Sequence, residues 1–282
     1  MLKRKAIVWD GELRVEERLG AYVPPGTLLV RVKYAAWTGV EEAVRQGLLV
    51  PEKGVVVGVS GIGQVVEAGR GAGVKPGEYV ASTRIVDGVP GIDVDGFLAE
   101  YTIVQEGAAS IIPRSISSPL YSLSLPASLA CNIVEVLERE NAETVLVVGA
   151  GLTGVLAYLV LEEKGFNVDL YTRLSAGREC GVEAVHRPRS RYDGVIAVSV
   201  DWHTVPGDVG SPLLLLHPAL QRIILRGRGH RRIYWLRGME GRCWIRVLED
   251  HADCIRGLTG SVDGVILPPP LHGRLLAYIL HL

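Results

Sequence analysis

The sequence predicts an α/β protein in two parts, an all-β barrel or sandwich followed by a parallel sheet with helical crossovers. Three observations carry this. Short apolar runs separated by turn signals fill roughly the first 118 residues; the run Val145-Leu-Val-Val-Gly149-Ala-Gly151-Leu-Thr-Gly154 switches from a strand pattern to a glycine-rich turn; and strand-like and helix-like segments alternate after it. With 282 residues the chain has material for two ordinary domains.

In the first part, residues 6–9, 27–34, 55–57, 63–67, 78–81 and 99–104 read as short strands, with turns at Pro24-Pro-Gly26, Gly71-Ala-Gly73 and Lys75-Pro-Gly77. Residues 125–138 have helical apolar spacing and Pro126 near the start, where the missing N–H costs nothing. Residues 145–148 then read as a buried strand, 152–164 as a helix, and 167–172, after Gly165, as the next strand. Further on, 192–198 predicts a strand, 211–220 a short proline-interrupted apolar helix and 221–225 a strand. The tail runs from 242–248 into a helical stretch at 250–258, then through 263–267 and Pro268-Pro-Pro270 to a closing amphipathic helix at 274–280.

The glycine turn is where chemistry enters. Gly149 allows the sharp exit from the strand, Gly151 lets the backbone approach a pyrophosphate, and Gly154 lets the helix pack close to the strand. Leu152 and Thr153 open the helix, whose free N–H groups and dipole favour an anion. A glycine-rich turn in some other α/β fold is the alternative; the charged lead-in at Glu138-Arg-Glu and the second strand after Gly165 favour a βαβ unit holding a dinucleotide.

Lys+Arg 30 against Asp+Glu 31 leaves a net charge of −1, which gives no basis for a nucleic-acid surface and suggests a small-molecule substrate. The four cysteines, Cys131, Cys180, Cys243 and Cys254, are far apart with no CxxC pair, and read as reduced thiols of a cytoplasmic protein. Residues 144–161 carry no charge, but they hold the three turn glycines and a strand-to-helix switch, so no membrane span is predicted. The start of the chain shows no signal peptide, and the scarcity of Met and Phe resembles a thermophile's composition.

The order of a β-rich half, a glycine-turn half and a short return segment resembles the medium-chain dehydrogenase/reductase superfamily, the relatives of zinc alcohol dehydrogenases and quinone reductases. Stretches that carry the likeness are Leu29-Val-Arg-Val-Lys, Gly58-Val-Ser-Gly-Ile-Gly-Gln-Val-Val-Glu-Ala-Gly69, Val74-Lys-Pro-Gly-Glu-Tyr-Val-Ala81 and Asp95-Gly-Phe-Leu-Ala-Glu-Tyr-Thr-Ile-Val104. The resemblance implies a GroES-like β-barrel catalytic domain over 1–138, completed by 249–282, a Rossmann domain with a doubly wound parallel sheet over 139–248, and an active site between them. It also implies a homodimer or homotetramer.

The departures bear on chemistry. Zinc members carry Cys-Gly-Thr-Asp where this chain has Thr38-Gly-Val-Glu41, and Gly-His-Glu where it has Gly58-Val-Ser60; the third ligand falls near Ala127, and a structural zinc lobe has no counterpart between Arg84 and Asp95. Thr, Val and Ala cannot supply three converging zinc ligands. The chain therefore resembles the zinc-free quinone and enoyl reductase branch, with Thr38, Glu41 and Ser60 as candidate catalytic residues. Thr38 stands where that branch commonly has Asn, facing the nicotinamide; it also suits the cap of a helix starting near Val40, with Glu41 and Glu42 in its first turn, and both readings stand. Tyr34 and Trp37 read either as pocket walls or as core.

At the end of the second nucleotide-domain strand, NAD-preferring relatives have an acidic residue; here Thr172 is followed by Arg173, which suits a 2′-phosphate, while Asp169 comes too early. NADP(H) is predicted over NAD(H), and Ser199, past the strand at 192–198, joins the cofactor-binding set. Two functions remain open: a zinc-independent NADP(H)-dependent oxidoreductase acting on an activated double bond, quinone or carbonyl, and a relative that lost its chemistry and binds nucleotide as a sensor or scaffold. The hydroxyl of the zinc-type proton relay falls on Val40, which favours the second.

Overall fold

The structure, a computed structural model, describes residues 3–20, 22–113, 118–172, 180–198, 209–222, 232–271 and 275–282. Its first part is built on strands. β1 (Lys3–Trp9) and β2 (Leu13–Leu19) form a hairpin, and β3 (Thr27–Trp37) runs antiparallel both to β4 (Ser60–Ala68) and to β6 (Tyr101–Gln105). β5 (Tyr79–Ser82) joins β4 to β7 (Ala109–Ile112), and register shifts in the β3–β4 ladder at Leu29/Val30 and Val32/Tyr34 let that pair bend. The short helix α1 (Gly39–Arg45) follows β3 at once. Strands β2 and β7 were not legible as strands; residues 55–57, which were, make only an isolated bridge from Val56 to Val8.

Helix α2 (Ser124–Arg139) leads into the second part, a five-stranded, all-parallel sheet in the order β12-β11-β10-β8-β9: β8 (Thr144–Val148), β9 (Asn167–Tyr171), β10 (Gly194–Ala197), β11 (Leu213–Leu216) and β12 (Arg232–Trp235). Helix α3 (Leu152–Glu163) crosses from β8 to β9. Val145, Leu146, Val147, Ile196 and Leu215 have no exposed surface, as befits strands covered on both faces; full burial of one such aliphatic side chain stabilises by about 1.5–3 kcal/mol. The segment expected as a helix at 211–220 is instead β11, bracketed by Pro212 and Pro218, followed by a 3-10 turn at Pro218–Arg222. Four consecutive leucines have helix propensity, but sites between β10 and β12 offer backbone partners and burial on two sides, and that outweighs it. Most of the strand expected at 221–225 lies outside the described residues.

The tail differs most. Helices α4 (Cys243–Asp250) and α5 (Ala252–Leu258) meet at His251, and β13 (Thr259–Asp263) and β14 (Ala277–His281) return to the first sheet, where β14 lies antiparallel to β3. The closing helix expected at 274–280 is thus a strand: Ala277, Tyr278, Ile279 and Leu280 are all buried, which a one-sided surface helix would not allow.

The cysteines also differ from expectation. Cys131 of α2 is bonded to Cys243 of α4, and Cys180 to Cys254 of α5, so among the described residues none is a free thiol. The pairs are 112 and 74 residues apart in sequence, separations at which spacing carries no signal. Among the described residues one helical segment, Pro119–Arg139, is long and apolar enough by itself to cross a membrane, and 89% of its apolar window is buried inside the protein.

Candidate functional site

The glycine turn between β8 and α3 divides its labour among three glycines. Gly149 has φ +106°, the left-handed region that frees the chain to turn off the strand. A Cβ on Gly154 would lie 1.9 Å from the Gly149 carbonyl oxygen, so helix and turn approach too closely for any side chain there. Gly151 is the opposite case: a Cβ would meet no protein atom within 4 Å. As N-cap of α3 it makes no side-chain cap bond, which leaves the first-turn N–H groups around Leu152 and Thr153 facing a space shaped for an anion.

That space is part of a cleft of about 80 Å³. Thr38, Gly39, Val40 and Leu49 line it from the β-rich part, and Gly151, Leu152, Thr153, Val198, His217 and Leu220 from the parallel sheet. Thr38 and the glycine turn, 113 positions apart in sequence, therefore share one site.

Glu41 and Ser60 lie behind it. Thr38 and Glu41 form a capping box on α1: the Val40 N–H donates to Thr38 Oγ1 (3.2 Å), while Glu41 Oε2 accepts from the Thr38 N–H (2.7 Å) and hydroxyl (2.8 Å). Glu41 Oε1 accepts the Val59 N–H at 2.8 Å. Only 1% exposed, the carboxyl is pushed above its ordinary range by desolvation, against the pull of these donors. Ser60 is fully buried; its hydroxyl donates to the Ser122 carbonyl (2.6 Å) and accepts the Leu125 N–H (3.1 Å), tying β4 to the start of α2. In the structure the hydrogen bonds of Glu41 hold Thr38 and Val59, and those of Ser60 hold the Ser122 carbonyl and the start of α2, so both side chains position the elements around the cleft. Trp37 is core: it has no exposed surface, its Nε1 reaches Glu42 at 3.4 Å and the Arg45 guanidinium covers its ring. Tyr34 meets His281 edge-on at 5.0 Å.

Of the expected cofactor-binding residues at the strand ends, Thr172 directly follows β9, while Arg173 and Ser199 lie outside the described residues. Asp169, inside β9, accepts the Tyr192 hydroxyl (2.7 Å) and pairs with Arg189 (3.1 Å), and so is committed elsewhere. The residue that sequence reasoning missed is His217. It directly follows β11 and lines the cleft, and the available signal was a lone polar residue closing a run of four leucines, where parallel sheets place ligands beyond their carboxyl ends.

Comparison with known proteins agrees with this architecture. Residues 24–114 match the sequence profile of the alcohol dehydrogenase GroES-like domain. Over its full length the chain superposes on a protein of Sinorhizobium meliloti 1021 assigned as a zinc-binding dehydrogenase and bound to NADP, with TM-score 0.71, 17% identity and 100% of both chains covered. Residues 24–114 thus carry an alcohol dehydrogenase GroES-like domain, and the whole chain shares the two-part fold of these dehydrogenase structures. Two further structures share it: an alcohol dehydrogenase of E. coli CFT073 complexed with NADH (TM-score 0.71, 18% identity, 99% of both chains) and a thermostable alcohol dehydrogenase of Pyrobaculum aerophilum with cobalt and zinc (TM-score 0.66, 21% identity, 99% of this chain and 100% of that one). No curated protein sequence matches the chain.

At the three positions where the resemblance to zinc alcohol dehydrogenases would put metal ligands, the chain has Thr38, Val59 and Ala127. Val59 and Ala127 are buried and apolar, and among the described residues no three His, Cys, Asp or Glu side chains converge. The donor set does not fit a catalytic zinc.

Proposed function

We propose that this chain is a zinc-independent, NADP(H)-dependent oxidoreductase of the medium-chain dehydrogenase/reductase type, reducing an activated double bond, quinone or carbonyl of a small molecule. The observation that carries the proposal is the uncapped, unobstructed N-terminus of α3 at Gly151, opening on the same cleft as Thr38. The residues there fit a dinucleotide: Gly151 leaves the volume a pyrophosphate needs, and the first turn of α3 supplies N–H donors and the positive end of a dipole. When bound, the reduced nicotinamide supplies a hydride. The chain's own work is to bind and orient cofactor and acceptor and to exclude water, which Leu49, Leu152, Val198 and Leu220 do by lining the cleft with apolar surface. Thr38 is held in place by Glu41.

A second reading, nucleotide binding without turnover, is favoured by Val40, which offers no proton-relay hydroxyl, and by the small volume of the cleft. Both readings bind NADPH; only the first consumes it. Titration of NADPH and NADH by fluorescence, followed by NADPH oxidation in the presence of a quinone, an enone and an aldehyde, separates them. The oxidoreductase reading expects tighter NADPH binding, turnover with at least one acceptor, and no loss on treatment with a chelator. We place the protein in the cytoplasm, since disulfides persist inside cells of hyperthermophiles, and as a homodimer or homotetramer, for which the exposed Ile233 and Trp235 on the edge strand β12 are available. Light scattering measures that assembly.

A further inference from the structure

Of the described side chains lining the cleft, only Thr38, Thr153 and His217 carry polar atoms. Their chemistry differs. The Thr38 hydroxyl gives its proton to Glu41 at 2.8 Å. Thr153 belongs to the first turn of α3, the part of the cleft assigned above to the pyrophosphate. His217 is fixed by three bonds: its N–H donates to the Ala197 carbonyl (2.9 Å), its carbonyl accepts from Leu220 (2.9 Å), and its Nδ1 accepts the Ala219 N–H (3.2 Å). With Nδ1 an acceptor, the neutral ring carries its proton on Nε2, for which no described residue is a partner.

Resting on the oxidoreductase reading above, we infer that His217 binds the acceptor oxygen of the substrate through Nε2–H and stabilises the negative charge that reduction places there. In the step, hydride forms a new C–H bond at the electrophilic carbon, and the displaced π electron pair passes to oxygen, directly in a carbonyl or through conjugation in an enone or quinone. The acceptor gains the two electrons that NADPH gives up in becoming NADP+, and the oxyanion takes its proton from bulk water as the product leaves the cleft. His217 donates a hydrogen bond throughout and ends the step unchanged. Burial supports this, since His217 is only 6% exposed and desolvation lowers its pKa to about 4, which keeps the ring neutral and its tautomer defined at physiological pH. A neutral imidazole donor needs no proton uptake to act, and in a cleft of apolar walls its dipole is little screened. Substrates with an oxygen conjugated or attached to the reducible carbon are the class this arrangement selects.

The test compares wild type with His217→Phe, which fills the volume without a donor, and His217→Gln, whose amide places an N–H near the position of Nε2. Three acceptors are used with NADPH: 9,10-phenanthrenequinone, cyclohex-2-enone and benzaldehyde. His217→Phe should lose about 10²–10³-fold in kcat, with NADPH affinity and thermal midpoint retained, and His217→Gln should recover part of the loss. In 15N-labelled wild type, His217 should show the neutral Nε2–H tautomer from pH 5.5 to 8. Turnover that survives intact in His217→Phe, or an Nδ1–H tautomer, overturns the role of His217 while leaving the oxidoreductase reading in place. Wild-type protein that oxidises NADPH with none of the three acceptors overturns both.

Discussion

Two glycines of one turn make opposite demands, and that difference is measurable. At Gly151 the backbone is in an ordinary extended region (φ −67°, ψ 170°) and a side chain meets nothing, so Gly151→Val should keep its thermal midpoint while losing at least tenfold in NADPH affinity. At Gly154 a Cβ collides with the Gly149 carbonyl, so Gly154→Ala should unfold at lower temperature whether or not nucleotide is present. Unchanged affinity in Gly151→Val would remove the dinucleotide from this turn. Arg173 follows Thr172 in the sequence and lies outside the described residues. One charge-assisted contact to a 2′-phosphate is worth about 1.5–3 kcal/mol, so Arg173→Ala should cut the preference for NADPH over NADH by roughly ten- to a hundredfold. Equal ratios in wild type and variant would show that selection lies elsewhere.

At the scale of elements, the two disulfides decide how the helices of the second half are held. Cys131–Cys243 fastens α4 to α2, the helix whose first turn is anchored on Ser60, and Cys180–Cys254 fastens α5 to the segment after β9. Closing loops this long removes much of the unfolded chain's freedom, and each bond should contribute about 2–4 kcal/mol. Reduction, or Cys243→Ser, should therefore lower the thermal midpoint by about 5–15 °C. Thiol titration of the native protein should find no reactive thiol before reduction and four after it. A reduced protein that melts with the oxidised one would show that the pairs are incidental to stability.

For the whole molecule, acid is the informative variable. His217 has its pKa lowered from 6.5 to about 4 by burial, so between those values the unfolded chain binds the proton and the native state does not. Stability supplied by the neutral ring is present above pH 6.5 and is lost as pH falls towards 4, by about 3 kcal/mol. Urea unfolding at pH 7 and pH 4.5 should show wild type losing more than His217→Gln by that order; parallel losses would mean the ring is not buried in solution.

What the sequence by itself determined is what local pattern and steric necessity encode. The β8–turn–α3–β9 unit was legible because Gly149 and Gly154 answer to contacts within the same ten residues, and the capping box at Thr38 and Glu41 because its partners are three positions apart. Helix α2 showed in its apolar spacing. Tertiary structure alone decided the rest. Four leucines at β11 and the apolar tail at β14 become strands because neighbouring strands supply their backbone partners. Cys131 and Cys180 find partners 112 and 74 residues away because helices pack, and no spacing rule reaches that far. Glu41 and Ser60 look like reactive groups in a one-dimensional string, and only burial shows their hydrogen bonds already taken. His217 looks like the end of an apolar run. It comes to share a cleft with Thr38 because the cleft forms where the carboxyl ends of a parallel sheet meet the β-rich part, and that juxtaposition exists only after the chain has folded.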